Sequence, residues 1–456
     1  MKLKWIVAAG GSSILLAIGW LTLYPPETIR VGANYTAKII CSNVFLANRD
    51  AQDVLQVDVQ APGHPLLRLM QVDVNRETKI VRAGLFGIIG KGMAVYRAGT
   101  GCATVPDGDI AEASRHQFAP AASPRVDVKQ MWPEGTQAEL NNAVQGILAQ
   151  EDLSGAGMRG IVVIHGGKLI AQRYAPGFSQ ATPLLGWSMT KSITAALIGM
   201  QITDEKLKLD QAGFWPASLP SDGREKIALA DLMAMSSGLR FNEGYGDVSD
   251  VTRMLYLEPD MAAYVSSLPL EHPIGTMWNY SSGTTVLLSS IWQNAAGADS
   301  LSFPQRRLFA PLGMDSAVIE ADARGNLVGS SYMYATTQDW ARFGQFLAQD
   351  GVWQGRRLLP AGYVAMMTIV APASKGAYGK GQVWRWGPSG DGPEDKSPDT
   401  AFNLPADTFW MLGHDGQSIA IVPSKQLVVV RLGLTPFKLH YKPQKMLAAV
   451  IKALES

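Results

Sequence analysis

The stretch Gly186-Trp187-Ser188-Met189-Thr190-Lys191 runs straight into Ser192-Ile193-Thr194-Ala195-Ala196-Leu197-Ile198-Gly199-Met200, and its reading decides the fold. Ile193, Ala196, Leu197 and Met200 recur at helical spacing, so Ser188 falls in the first turn of an apolar helix. Residues three apart share a helix face, which brings the amine of Lys191 back to the hydroxyl of Ser188. A serine hydroxyl is a weak nucleophile until a base takes its proton, and a buried lysine of depressed pKa can be that base or tune it. Free N–H groups and the positive end of the helix dipole also favour the anion that forms. A serine N-cap with a solvated lysine one turn later would carry the same letters, so the motif has to be weighed with its company.

That company is ordered. Downstream lie Met235-Ser236-Ser237-Gly238-Leu239, then Asn279-Tyr280-Ser281-Ser282-Gly283, then Gly413-His414-Asp415-Gly416-Gln417 just before an apolar run. Lys208-Leu209-Asp210, ATTQDWARFG from Ala335 to Gly344 and WQGRRLLP from Trp353 to Pro360 accompany them. From about Trp132 to Leu454 the chain resembles the serine beta-lactamase and penicillin-binding-protein superfamily, in the style of class C beta-lactamases, family VIII esterases and 6-aminohexanoate-dimer hydrolases. The resemblance implies a mixed α/β (α+β) fold: an antiparallel sheet flanked by terminal helices, plus a mostly helical subdomain, with the site in the cleft between them.

Carried over position by position, the resemblance makes Ser188 the acylated nucleophile, Lys191 its neighbour and Tyr280 the general base. A phenol held near a cationic Lys191 would titrate below its free value of about 10. Ser282, His414, Asp415 and Gly416 take the substrate-binding positions, with Gly416 allowing close approach of its strand. The resemblance would also put the oxyanion-hole donors at the backbone N–H groups of Ser188 and Gln417, each worth roughly 3 to 4 kcal/mol in comparable enzymes. Two motifs depart from the family pattern: Ser282 stands where Asn is usual, and His414-Asp415-Gly416 replaces Lys-Thr-Gly. A hydroxyl at Ser282 still bonds a substrate amide or Lys191. Asp415 would repel a substrate carboxylate, which favours esters or amides lacking one, or carrying an amine. His414 and Asp415 are not read as a Ser-His-Asp triad, because neighbours on a strand point to opposite faces. The expected activity is hydrolysis of a small-molecule or short-peptide ester or amide, with no cofactor and no metal. A beta-lactamase or D-alanyl-D-alanine peptidase, and a non-catalytic peptide-binding or sensor protein, are the alternatives.

The rest of the chain sets the frame. Its 456 residues, 47% hydrophobic and 17% charged, are ample for one large catalytic domain plus extras. A net charge of +1 without a dense basic run excludes a nucleic-acid footprint. Lys2 and Lys4 precede a charge-free stretch from Trp5 to Tyr24, about the twenty residues that span a bilayer. Residues 1–24 are therefore expected to be an inner-membrane anchor with the remainder facing the periplasm or extracytoplasmic space, or, alternatively, a signal peptide cleaved on secretion. Residues 25–106 hold short runs such as VLQVDV and LFGIIG with no assignable chemistry, and carry Cys41 and Cys102, which are expected to pair as a disulfide. A Pro-, Asp-, Ala- and Ser-rich linker over 107–131 leads to the hydrolase domain, 132–456. That domain should open with a helix over Thr136 to Gln150 and a hairpin turning at His165-Gly166-Gly167. It should close with strands turning at Pro423-Ser424-Lys425 and a helix around Gln444 to Leu454, and Thr336 or Thr337 should cap an intervening helix.

Overall fold

In the N-terminal region, helix α1 (Glu27–Phe45) lies across an antiparallel sheet of β1 (Met70–Asn75), β2 (Ile80–Leu85), β3 (Ile89–Arg97) and β4 (Gly101–Thr104). The computed structural model describes residues 19–120, 127–216, 219, 222–389 and 396–456. Cys41 of α1 is bonded to Cys102 of β4, with their Cα atoms 6.1 Å apart. VLQVDV is helical here, within Ala51–Val54 and a wider turn over Leu55–Gln60, and Leu85 to Gly90 forms the β2–β3 hairpin.

The domain that follows is built on a second sheet whose strands come from both its ends. Helix α2 (Asn142–Leu148) precedes β5 (Met158–His165) and β6 (Lys168–Tyr174). The helix expected over Thr136–Gln150 is shorter because Asn141 caps it, accepting from the N–H of Val144, while residues 135–137 are extended. Then come α3 (Thr190–Thr203), α4 (Ser282–Ala296) and α5 (Thr337–Ala348), the last capped by Thr336. Strands β7 (Phe409–Gly413), β8 (Gln417–Val422) and β9 (Leu427–Gly433) and helix α6 (Pro443–Glu455) complete the domain. The strand order is β7-β8-β9-β5-β6, antiparallel throughout.

Both faces of this sheet are covered, so its strands are apolar at successive positions yet still obey a period of two. Ile161, Val163, Ala420, Val422, Leu427 and Val429 pack under α2 and α6. Val162, Ile164, Ile419, Ile421, Val428 and Val430 face the other way, onto α5 through Trp340, Phe343 and Phe346.

The N-terminal region is seated on this domain through buried polar ties as well as apolar packing. Glu320, fully buried, accepts from Lys38, from the hydroxyl of Ser42 at 2.8 Å and from the N–H of Cys102 at 2.7 Å. Arg97 donates to the carbonyls of Ala321 at 2.6 Å and Asp322 at 2.9 Å. Asp58 is clamped by Arg49 on its own side and by Arg159 of β5 at 2.6 Å. Within the expected linker, Ile110–Arg115 is helical and Asp127–Met131 pairs with Gly135–Gln137. Among the described residues no helix is long and apolar enough to cross a membrane. The expected anchor lies outside the described residues up to position 18, and 19–23 are helical.

Candidate active site

Ser188 sits on a sharp corner leading into α3. Trp187 adopts the left-handed region with φ 47°, a conformation that a bulky side chain takes only when its surroundings enforce it. Two things enforce it here: the indole is buried, and the Trp187 carbonyl accepts from the Thr190 hydroxyl at 2.7 Å. Gly186 is required by packing, since a Cβ there would stand 2.2 Å from the ring of Trp340. Gly413 is required in the same way: its Cβ would lie 2.3 Å from the carbonyl oxygen of Gly186. Gly416, at φ 78°, is closely packed as well, since a Cβ there would stand 3.0 Å from Arg431 Nη1, and the contact at Gly413 brings the β7–β8 turn against the Ser188 corner.

Lys191, one turn along α3, is 1% exposed. Its Nζ lies 3.1 Å from Ser188 Oγ, 3.0 Å from Ser282 Oγ and 3.0 Å from the carbonyl oxygen of Ser330. Ser282 opens α4 after its N-cap, Ser281, and the Ser282 hydroxyl donates to Glu243 at 2.6 Å. The single proton of that hydroxyl is thereby committed, so Ser282 can only accept from Lys191, as Ser330 does. Two N–H bonds are spent on these partners, and the remaining position on Nζ faces Ser188. Burial lowers the Lys191 pKa to about 8, with the nearby Glu243 charge partly opposing the drop. A neutral amine with its lone pair on the Ser188 hydroxyl is therefore accessible near neutral pH.

Glu243 belongs to no motif legible in the sequence. Both of its oxygens are occupied, one by the Ser282 hydroxyl and one by the Ser282 N–H at 2.7 Å at the start of α4, and Tyr245 bonds to it as well. Burial pushes its carboxyl above the ordinary value, while Lys191 and these donors hold it down. Accepting at both oxygens, it has the bonding pattern of a carboxylate. Asn242-Glu243-Gly244-Tyr245-Gly246-Asp247 reads as an ordinary polar loop, and only the tertiary fold draws its carboxylate to Lys191.

Tyr280 shares a hydrogen bond with Ser188 and another with Trp384. Its ring lies 5.1 Å from Trp384 and 5.8 Å from Tyr378. The expected depression of its pKa is not what this geometry produces. Burial among aromatic rings, with Glu243 nearby, pushes the phenol well above its ordinary value. Lys191 sits over the ring face, 4.8 Å from the centroid, and is itself driven toward the neutral form.

His414-Asp415-Gly416 is a second correction. It forms the turn between β7 and β8 rather than part of a strand, with Asp415 at φ 56°. The side chain of Gln417 pins this turn, donating to the carbonyls of His414 at 3.0 Å and Gly433 at 2.6 Å and accepting from the Gly433 N–H at 2.8 Å. The His414 ring packs 5.7 Å from Trp187 and 5.0 Å from Tyr245. Asp415, 3.6 Å from His414 Nε2, lines a small cavity with Asp58, Arg159 and Tyr35.

A family model described as "Beta-lactamase" matches residues 140–436. A 6-aminohexanoate-dimer hydrolase of Paenarthrobacter ureafaciens is 22% identical over 298 residues, which cover 60% of this chain and 72% of the relative. Among solved structures, a candidate 6-aminohexanoate-dimer hydrolase from Bacillus anthracis superposes with a TM-score of 0.58 at 19% identity, covering 73% of this chain and 89% of that one. A penicillin-binding-protein homologue from Caulobacter crescentus has a TM-score of 0.50 at 17% identity, covering 68% and 96%. The structural likenesses speak to the fold; the family match spans both Ser188 and the sheet that buttresses it, and the chain belongs to the beta-lactamase family of serine hydrolases.

Proposed function

We propose that this hydrolase cleaves an ester or amide through an acyl-enzyme on Ser188, with Lys191 as the base that activates it. The observation that carries the reading is the bonding of Lys191 Nζ, two of whose positions are taken by Ser282 and Ser330 while the third meets Ser188 Oγ at 3.1 Å. Ser188 Oγ attacks the carbonyl carbon as its proton passes to Lys191, and the carbonyl electrons move onto oxygen. The N–H groups of Ser188 and Gln417 would receive that oxyanion. As the carbonyl re-forms, the leaving group departs with a proton from Lys191, relayed through the neutral Tyr280 hydroxyl that bonds to Ser188. Water then repeats the sequence on the acyl-enzyme and frees the acid.

The substrate class follows from what the site offers. No lysine stands in the His414–Gly416 turn to hold a substrate carboxylate, and His414 presents a ring packed between Trp187 and Tyr245. This favours a small-molecule or short-peptide ester or amide over a beta-lactam. We further place the catalytic domain outside the cytoplasm, tethered to the inner membrane. Lys2 and Lys4 ahead of the charge-free Trp5–Tyr24 stretch support this, as does a Cys41–Cys102 disulfide of the kind that persists in oxidising compartments.

Intact-protein mass after exposure to a fluorophosphonate tests the chemistry. One adduct on the parent and none on Ser188→Ala is expected. An unlabelled, folded parent would remove the hydrolytic assignment to Ser188.

A further inference from the structure

An apolar slot of about 200 Å³ opens beside the nucleophile corner, and one of its walls comes from outside the family-matched domain. Thr28, Val31, Gly32 and Tyr35, spaced as one face of α1, line one side. Leu67 and Met70, also from the N-terminal region, line another. Trp187, Tyr245 and His414 belong to the catalytic domain and line the slot from its other side. Trp187 immediately precedes Ser188, and Tyr245 bonds to Glu243, which holds the Ser282 hydroxyl that receives Lys191. Tyr245 is 42% exposed although its hydroxyl is engaged. Asp247 is the one carboxylate among the lining residues, and it lies exposed.

We propose that the N-terminal region completes the substrate site, and that this slot takes an aliphatic chain of the scissile ester or amide, laid along α1 with its carbonyl at Ser188. The inference rests on the acyl-enzyme reading of Ser188. A dry apolar cavity of about 150 Å³ accommodates benzene, so this slot suits a chain of about six to eight carbons. The ties at Glu320, Asp58 and Cys41–Cys102 then have a functional consequence, because they hold α1 in register with the nucleophile.

The test is a chain-length series of p-nitrophenyl esters from acetyl to decanoyl, on the full chain and on Gly32→Leu and Val31→Trp. A Cβ at Gly32 would stand 3.0 Å from Met70 Cε and 3.3 Å from Leu67 Cδ2, flexible ends that can yield while the added side chain fills the slot. Burying a methylene is worth about fourfold in kcat/KM, so the parent should gain at least about tenfold from butanoyl to octanoyl. Either variant should lose that gain while keeping acetyl-ester turnover and fluorophosphonate labelling within about twofold of the parent. Identical chain-length profiles in parent and both variants would overturn the slot and leave the hydrolase reading standing. Calorimetric titration with octanoate reads the slot without turnover. Octanoate binding that Gly32→Leu abolishes supports the slot even in a protein that no fluorophosphonate labels. A full chain that binds no octanoate and shows no chain-length gain refutes it, as would happen if the chain's own first residues filled the space.

Discussion

Replacing Glu243 by Gln probes the arrangement at its centre, because it removes a charge without removing a side chain. Lys191 Nζ and Glu243 are bridged by the Ser282 hydroxyl, through contacts of 3.0 Å and 2.6 Å. A bent bridge of that kind separates the charges by roughly 5 Å, and at an effective dielectric of about 20 two unit charges at this distance attract by roughly 3 kcal/mol. That attraction favours the protonated amine. Its loss should lower the Lys191 pKa, since burial would then act with less opposition. After allowance for relaxation, the acid limb of the activity profile should move down by about one to two pH units. The assay is the rate of Ser188 acylation by a short ester, or of fluorophosphonate labelling, between pH 5 and 10. With Lys191 as the proposed base, the parent needs its neutral amine, so the rate should rise with pH and level off above about 8. In Glu243→Gln the limb should shift to lower pH. The plateau should fall by about tenfold or more, because the Ser282 N–H that donates to Glu243 would face an amide able to present only one acceptor. A limb that stays near pH 8, or moves upward, would refute Lys191 as the titrating base. A limb appearing only at far higher pH in the parent would return the role to the Tyr280 phenol.

Two further predictions concern the seat of the N-terminal region. Glu320→Ala leaves Lys38 buried without its counter-charge and strips the Ser42 hydroxyl and Cys102 N–H of an acceptor, so urea unfolding should show a loss of about 3 to 5 kcal/mol. A loss below about 1 kcal/mol would show that these groups find other partners. Cys41→Ser with Cys102→Ser opens a loop of sequence separation 61, which in the chain-entropy treatment is worth about 4 kcal/mol, read as a lower unfolding midpoint with an unchanged fold by circular dichroism.

Local chemistry was enough to locate much of this molecule in its sequence. The hairpin of β5 and β6, the pair β8 and β9, the closing helix α6 and the cap at Thr336 all follow from periodicity and turn residues, which act over a few positions. Ser188 and Lys191 were legible because one helical turn sets their separation, and the ordered motifs around Tyr280 and His414 carried the family resemblance. Leu140 shows the limit of periodicity: it continues the apolar spacing of α2 but is exposed, because the cap at Asn141 starts the helix after it.

What the tertiary structure decided concerns groups whose role depends on burial and on partners far away in the chain. Glu243 matters because α4 presents an N–H and a hydroxyl to it 39 residues later. Tyr280 holds its proton because aromatic rings exclude water around it, whereas pairing with a cation, judged from the motif alone, pointed the other way. His414-Asp415-Gly416 bends into a turn because Gln417 satisfies its carbonyls from within the next strand. The N-terminal region, without a chemical motif of its own, comes beside the site through α1 and the Leu67–Met70 segment. A sequence records local propensity residue by residue, but desolvation and long-range contact, which set pKa values and shape the slot, exist only once distant segments have excluded water together.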